Sequence, residues 1–129
     1  MEHNYDREML EFIQENPSSY HVIEGQKRRL LEAGYEQLLE SGDWAIREGG
    51  KYFVTRNGSA MVAFRVPKRD FKGFMIMASH SDSPMLKIKE NPEIAVEGAS
   101  QKLNVEVYGG ALLAPWFDRP LAVAGRVLL

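Results

Sequence analysis

Apolar side chains recur at helical intervals along the first third of the chain. Within residues 7–15, Met9, Leu10 and Ile13 share one face of a helix, and Asn16-Pro17 ends it, because the residue before a proline is pushed out of the helical region. Ser18 or Ser19 is expected to cap a second helix by accepting a hydrogen bond from an orphan backbone N–H. From Tyr20 onward the apolar positions 20, 23, 30 and 31 lie on one stripe interrupted by Lys27, and Lys27-Arg28-Arg29 reads as the solvated side. Gly34 stands where a left-handed C-terminal cap is expected.

Beyond this point the periodicity changes to that of strands. Lys51-Tyr52-Phe53-Val54-Thr55-Arg56 is rich in β-formers, Asn57-Gly58 is a strong hairpin signal, and residues 59–66 alternate. These two runs are expected to pair antiparallel across the turn. Gly73-Phe74-Met75-Ile76-Met77-Ala78 is a continuous apolar run, which fits a strand buried on both faces. Residues 85–89 and 103–107 read as further strands separated by a loop rich in Pro, Glu and Gly. Gly109-Gly110 marks a turn or a close backbone approach, and residues 121–129 read as a last strand. The expected fold class is α/β, with N-terminal helices followed by a mixed β-sheet, and no reliable domain boundary is legible. The chain stops inside an apparent strand, which suggests the boundary of a piece cut from a longer protein.

Composition narrows the function. With 44% hydrophobic and 26% charged residues the chain is not of the disordered class. A net charge of −2 gives no basic footprint for nucleic acid. No stretch approaches the roughly 18 apolar residues of a membrane span, and the polar N-terminus lacks the apolar core of a secretory signal. The expectation is therefore a cytoplasmic protein with no nucleic-acid or membrane partner. No cysteine is present, so a bound metal must be held by His, Asp, Glu or water.

The segment richest in chemistry is Ser79-His80-Ser81-Asp82-Ser83-Pro84, directly after the apolar run. Ligand sites in open α/β sheets gather beyond the carboxyl ends of strands. In extended backbone, side chains two apart project to the same side, so His80 and Asp82 can serve one site. A neutral imidazole ligates zinc, and a neighbouring carboxylate can fix its tautomer. Spacing alone leaves the alternative open that this is a polar turn in which Asp82 or Ser83 bonds local backbone.

The run His80-Ser81-Asp82-Ser83-Pro84 resembles the HTDSP segment of the aspartyl aminopeptidase family of zinc metallopeptidases. In the same order, Asn16-Pro17-Ser18-Ser19-Tyr20-His21 is similar to that family's SPSPFH. The run from Gly49 through Asn57 is similar to GGKYYVTRN, Val105-Glu106-Val107-Tyr108-Gly109-Gly110 to VEVYGG, and Trp116-Phe117-Asp118-Arg119 to WFDR. Two departures are Ser81, where the family often has Thr, and Pro120, where it often has an acidic residue.

The resemblance implies a phosphorylase/hydrolase-like catalytic domain. Residues 1–129 would form its N-terminal part and end near the start of the family's dimerisation domain. It implies removal of N-terminal Asp or Glu from peptides, two zinc ions, and a homo-oligomer. It assigns His80 as a metal ligand and Asp82 as the catalytic-site residue that supports this ligand. The family's other ligands and its general base Glu lie downstream, and no substrate-binding residue is assigned. The chain alone is accordingly expected to neither hold zinc tightly nor turn over substrate, and to associate through apolar surface left open around residues 73–78. The rival is a non-catalytic truncated module acting in protein–protein interaction.

Other residues carry milder expectations. His21 is expected to make a packing or helix-end hydrogen bond, and His3 to be a terminal residue without a role. Asp118-Arg119 is expected to be a structural ion pair, Trp116 and Phe117 core or interface anchors, and Tyr108-Gly109-Gly110 a tight turn.

Overall fold

Asn4 opens the first helix, its side-chain oxygen accepting from the Arg7 backbone N–H at 3.1 Å. This helix, α1, spans Tyr5–Glu15 and stops at Asn16 as the proline requires. The computed structural model describes residues 4–98 and 100–129, so His3 lies outside the described residues. It falls into two units: residues up to Asp82 together with Ala124–Leu129, and Ser83–Val123.

In the first unit, α2 spans Ser19–Glu32. Ser18 is its N-cap residue but makes no capping bond to backbone. Its hydroxyl instead meets His21 Nδ1 at 2.7 Å, because an imidazole three residues on competes for the same short side chain. At the other end the sequence expectation holds. Gly34 has φ +77°, its N–H donates to Leu31 O and that of Tyr35 to Leu30 O, the paired bonds of a Schellman cap.

Helix α2 also carries a glycine at a close approach. A Cβ at Gly25 would lie 2.6 Å from Asn16 Oδ1. Asn16 is buried and donates through Nδ2 to Phe12 O at 2.6 Å. The absence of a side chain at buried Gly25 is thus what lets the asparagine that ends α1 tuck against α2.

The sheet of this unit has the order β1-β2-β3, from Glu36–Leu38, Lys51–Arg56 and Ala60–Arg65. The β2–β3 hairpin is the one the sequence announces, pairing Tyr52 with Phe64 and Arg56 with Ala60. Asn57 (φ +53°) and Gly58 (φ +68°) take the left-handed conformations that its turn demands. Strand β1 pairs parallel to β2, which makes the sheet mixed. Three residues, Glu36-Gln37-Leu38, are too short to show a period.

The core is Ile23, Tyr52 and Phe53, the last with no exposed surface. The Tyr52 ring packs 5.7 Å from that of Phe64, and its hydroxyl accepts from the Arg47 backbone N–H at 3.0 Å. Lys51 Nζ donates to Ala33 O at 2.8 Å, tying the start of β2 to the end of α2.

The second unit is built on a long hairpin, β4 (Met85–Val96) with β5 (Ser100–Tyr108), antiparallel. Strand pairing runs through most of the expected loop. The Pro92 region is absorbed as an irregularity between Ile88 and Glu93, the kind of place where a strand tolerates proline. Gly109 follows with φ +75° in a bend.

Two expected strands are not formed. Residues 73–78 have no strand pairing and lie open, with Met75 and Met77 fully exposed. An apolar run states only that both faces are to be buried. The ladder itself needs a partner backbone and covering layers, and the described residues provide neither. Residues 121–129 likewise form no strand.

Candidate metal centre

The connection after β3 runs without regular structure, and every residue from Pro67 to His80 is exposed. The first side chains to regain cover are Ser81 and Asp82. Ser81 Oγ donates to Ser59 O at 2.9 Å, fastening the segment to the residue that follows the Asn57-Gly58 turn.

On either side of that tie, His80 Nδ1 and Asp82 Oδ1 stand 3.0 Å apart. The alternative of a carboxylate engaged only with turn backbone is therefore not the arrangement seen. The imidazole is 92% exposed and the carboxylate 33% exposed. An ionised carboxylate only accepts, so the ring donates through Nδ1. In the neutral ring this leaves the Nε2 lone pair for a metal or a proton. The structure brings these two alternate side chains together, across a bend at Ser81 rather than in the extended backbone expected.

These residues fit one corner of a zinc centre. A catalytic zinc takes about three protein ligands and a water. Among the described residues, no three His, Asp or Glu side chains gather closely enough to hold an ion. A donor-oriented imidazole with its carboxylate is what one ligand position needs, and the further ligands of such a centre are not supplied by the described residues.

The other singled-out residues lie outside this pair. His21 makes its helix-end bond to Ser18. Asp118 and Arg119 form an exposed ion pair at 3.0 Å. Trp116 ends a short 3-10 helix, Ala114–Trp116, and is half-buried, whereas Phe117 is 75% exposed and is not a core residue. Sequence patterning does not single out Arg126, which donates to Asn57 O at 2.7 Å and stacks 4.5 Å above the Tyr20 ring. A lone arginine in a terminal apolar run was the available signal.

Comparison with known proteins accounts for the ordered blocks. Residues 12–129 match the family model of the aminopeptidase I zinc metalloproteases, M18. A probable M18 family aminopeptidase 2 from Clostridium acetobutylicum is 44% identical over 125 residues, covering 95% of this chain and 29% of the relative. That of Pseudomonas paraeruginosa is 46% identical over 121 residues, covering 92% and 28%. The chain thus spans less than a third of the length of these curated relatives.

Solved structures agree. The cryo-EM structure of the Ape4 and Nbr1 complex contains a chain that superposes with TM-score 0.81 at 36% identity, over 87% of this chain and 22% of that one. The S. cerevisiae mApe1 dodecamer gives 0.81 at 31%, over 91% and 28%.

Proposed function

Since the chain belongs to the M18 family of aminopeptidase I zinc metalloproteases, we propose that it is the first part of the catalytic domain of a metalloaminopeptidase that removes N-terminal Asp or Glu from peptides. The observation that carries this reading is the 3.0 Å pairing of His80 Nδ1 with Asp82. It leaves Nε2 as the metal-facing nitrogen, on a chain whose blocks match the family from residue 12 to 129.

In this reading His80 supplies one zinc ligand. Asp82 holds the ring in the ligating tautomer and raises its basicity. Two zinc ions complete the centre with ligands and a general base from beyond this chain. Bound zinc supplies a water of lowered pKa and polarises the scissile carbonyl. The protein works as a cytoplasmic homo-oligomer, with its dimerisation domain beginning near the end of this chain. The likeness to the mApe1 dodecamer supports the oligomer.

The test is hydrolysis by the protein extended to the full length of its relatives. It is expected to bind zinc and to cleave Asp- and Glu-initiated peptides faster than Ala-initiated ones, and His80→Ala is expected to abolish both zinc retention and cleavage. Undiminished zinc content and activity in His80→Ala would overturn the assignment. The 129-residue chain by itself is expected to be inactive, and peptidase activity from it would refute the partial-site reading.

A second reading, a non-catalytic module for protein–protein interaction, is favoured by the exposure of Phe74, Met75, Ile76 and Met77. A gene that ends at codon 129 would support it. An open frame continuing into the family's later ligands would count against it.

A further inference from the structure

Between the imidazole and the carboxylate lies a residue to which the zinc reading gives no task. Ser81 is partly buried, its hydroxyl donates to Ser59 O at 2.9 Å, and its acceptor belongs to a segment 22 residues earlier in the chain. The acceptor is well placed to be rigid. Ser59 N–H closes the hairpin turn on Arg56 O, and the left-handed Asn57-Gly58 pair fixes the turn geometry. Arg126 braces the same turn, donating to Asn57 O while lying over Tyr20. The fourteen residues before Ser81, by contrast, are exposed and irregular from Pro67 to His80. The hairpin turn is thus a fixed point in contact with an otherwise unsupported connection.

We propose that Ser81 is a positioning residue: its bond to Ser59 O anchors the backbone between His80 and Asp82 to the β2–β3 turn, and so holds the two side chains in the geometry that fixes the His80 tautomer. The inference rests on the metal reading of His80 for its purpose but not for its test. The chain bends at Ser81, so its two neighbours are brought together, His80 Nδ1 and Asp82 Oδ1 standing 3.0 Å apart, while the serine at the bend is gripped by the hairpin turn. The imidazole is then presented outward while Asp82 keeps two-thirds of its side-chain surface covered. A hydroxyl is required at position 81, since a backbone carbonyl acceptor needs a donor. Threonine satisfies the requirement as well as serine.

The measurement is the ring ¹⁵N spectrum of His80 in the 129-residue chain, which reports the fraction of neutral imidazole protonated on Nδ1. It uses two variants of nearly equal shape, Ser81→Thr and Ser81→Val, with Asp82→Asn as the control. Ser81→Thr is expected to keep the Nδ1–H tautomer of the unsubstituted chain. Ser81→Val is expected to move the tautomer ratio toward Nε2–H by about fivefold, the shift allowed by loss of one hydrogen bond of ordinary net strength. Asp82→Asn is expected to move it at least as far. Amide dispersion of β2 and β3 shows that each variant is folded. If Ser81→Val and Ser81→Thr give the same ratio while Asp82→Asn shifts it, the positioning role is overturned and the metal reading of His80 stands. If none of the three shifts it, the His80–Asp82 pair is not formed, and both fall.

Discussion

Asp82 Oδ1 lies 3.0 Å from His80 Nδ1, so a carboxylate with most of its surface covered is placed to favour the Nδ1–H form of an almost wholly exposed imidazole. Replacing the acceptor removes that bias without removing the imidazole proposed as the zinc ligand. In the full-length protein, Asp82→Asn is expected to weaken zinc binding about 10–100-fold, the usual effect of losing a partner of a metal-ligating histidine. A competition titration against a chromophoric chelator reads it. Unchanged affinity would separate Asp82 from the metal.

Gly25 is expected to resist the change that helix propensity favours. Glycine to alanine inside a helix gains about 1 kcal/mol by propensity. Here the new Cβ would meet Asn16 Oδ1 at 2.6 Å, and overpacking costs about 1–3 kcal/mol. Gly25→Ala is therefore expected to lower stability in denaturant unfolding. Combining it with Asn16→Ala removes the clash, so the double variant is expected to be more stable than the sum of the single effects. Additive effects would show that the contact is not what selects glycine.

Gly34 closes α2 at φ +77° with open space around its Cα. Gly34→Ala meets no neighbour, so its cost is purely that of the left-handed conformation, about 1–2 kcal/mol. Thermal unfolding measures it. A loss well above that range would indicate a packing role instead.

Phe53 has no exposed surface, while Val62 on the neighbouring strand is 61% exposed. Phe53→Ala is expected to cost about 3–5 kcal/mol, and Val62→Ala only a few tenths of a kcal/mol because surface substitutions are usually small. Equal effects at the two positions in urea unfolding would contradict this division of core and surface.

Phe74, Met75, Ile76 and Met77 present a contiguous apolar run to solvent. Exposed patches of this kind drive association, so the 129-residue chain is expected to bind a hydrophobic dye and to self-associate in sedimentation. Met75→Lys with Met77→Lys is expected to reduce both signals. A monomer without dye binding would show that the run is covered in solution.

Much of this architecture was legible in local sequence. The Asn16-Pro17 stop, the Gly34 cap and the Asn57-Gly58 hairpin each follow from backbone restrictions of one or two residues, which no distant contact needs to confirm. The pairing of His80 with Asp82 was half legible. Alternation put both on one side, but whether the ring and carboxylate meet depended on the backbone between them.

What the sequence determined by itself was therefore local: where helices begin and end, where the chain reverses, and which residue types stand ready for metal. Only the tertiary structure decided that β1 pairs with β2, that Ser18 turns to His21 rather than to the helix backbone, that Pro92 lies within a strand, and that Ser81 is tied to Ser59. It also decided that residues 73–78 lie open rather than in a sheet. Local propensities are fixed by the few atoms of neighbouring residues. Strand pairing and side-chain ties across 22 positions exist only when a partner backbone is brought alongside, and no periodicity within a segment encodes that partner.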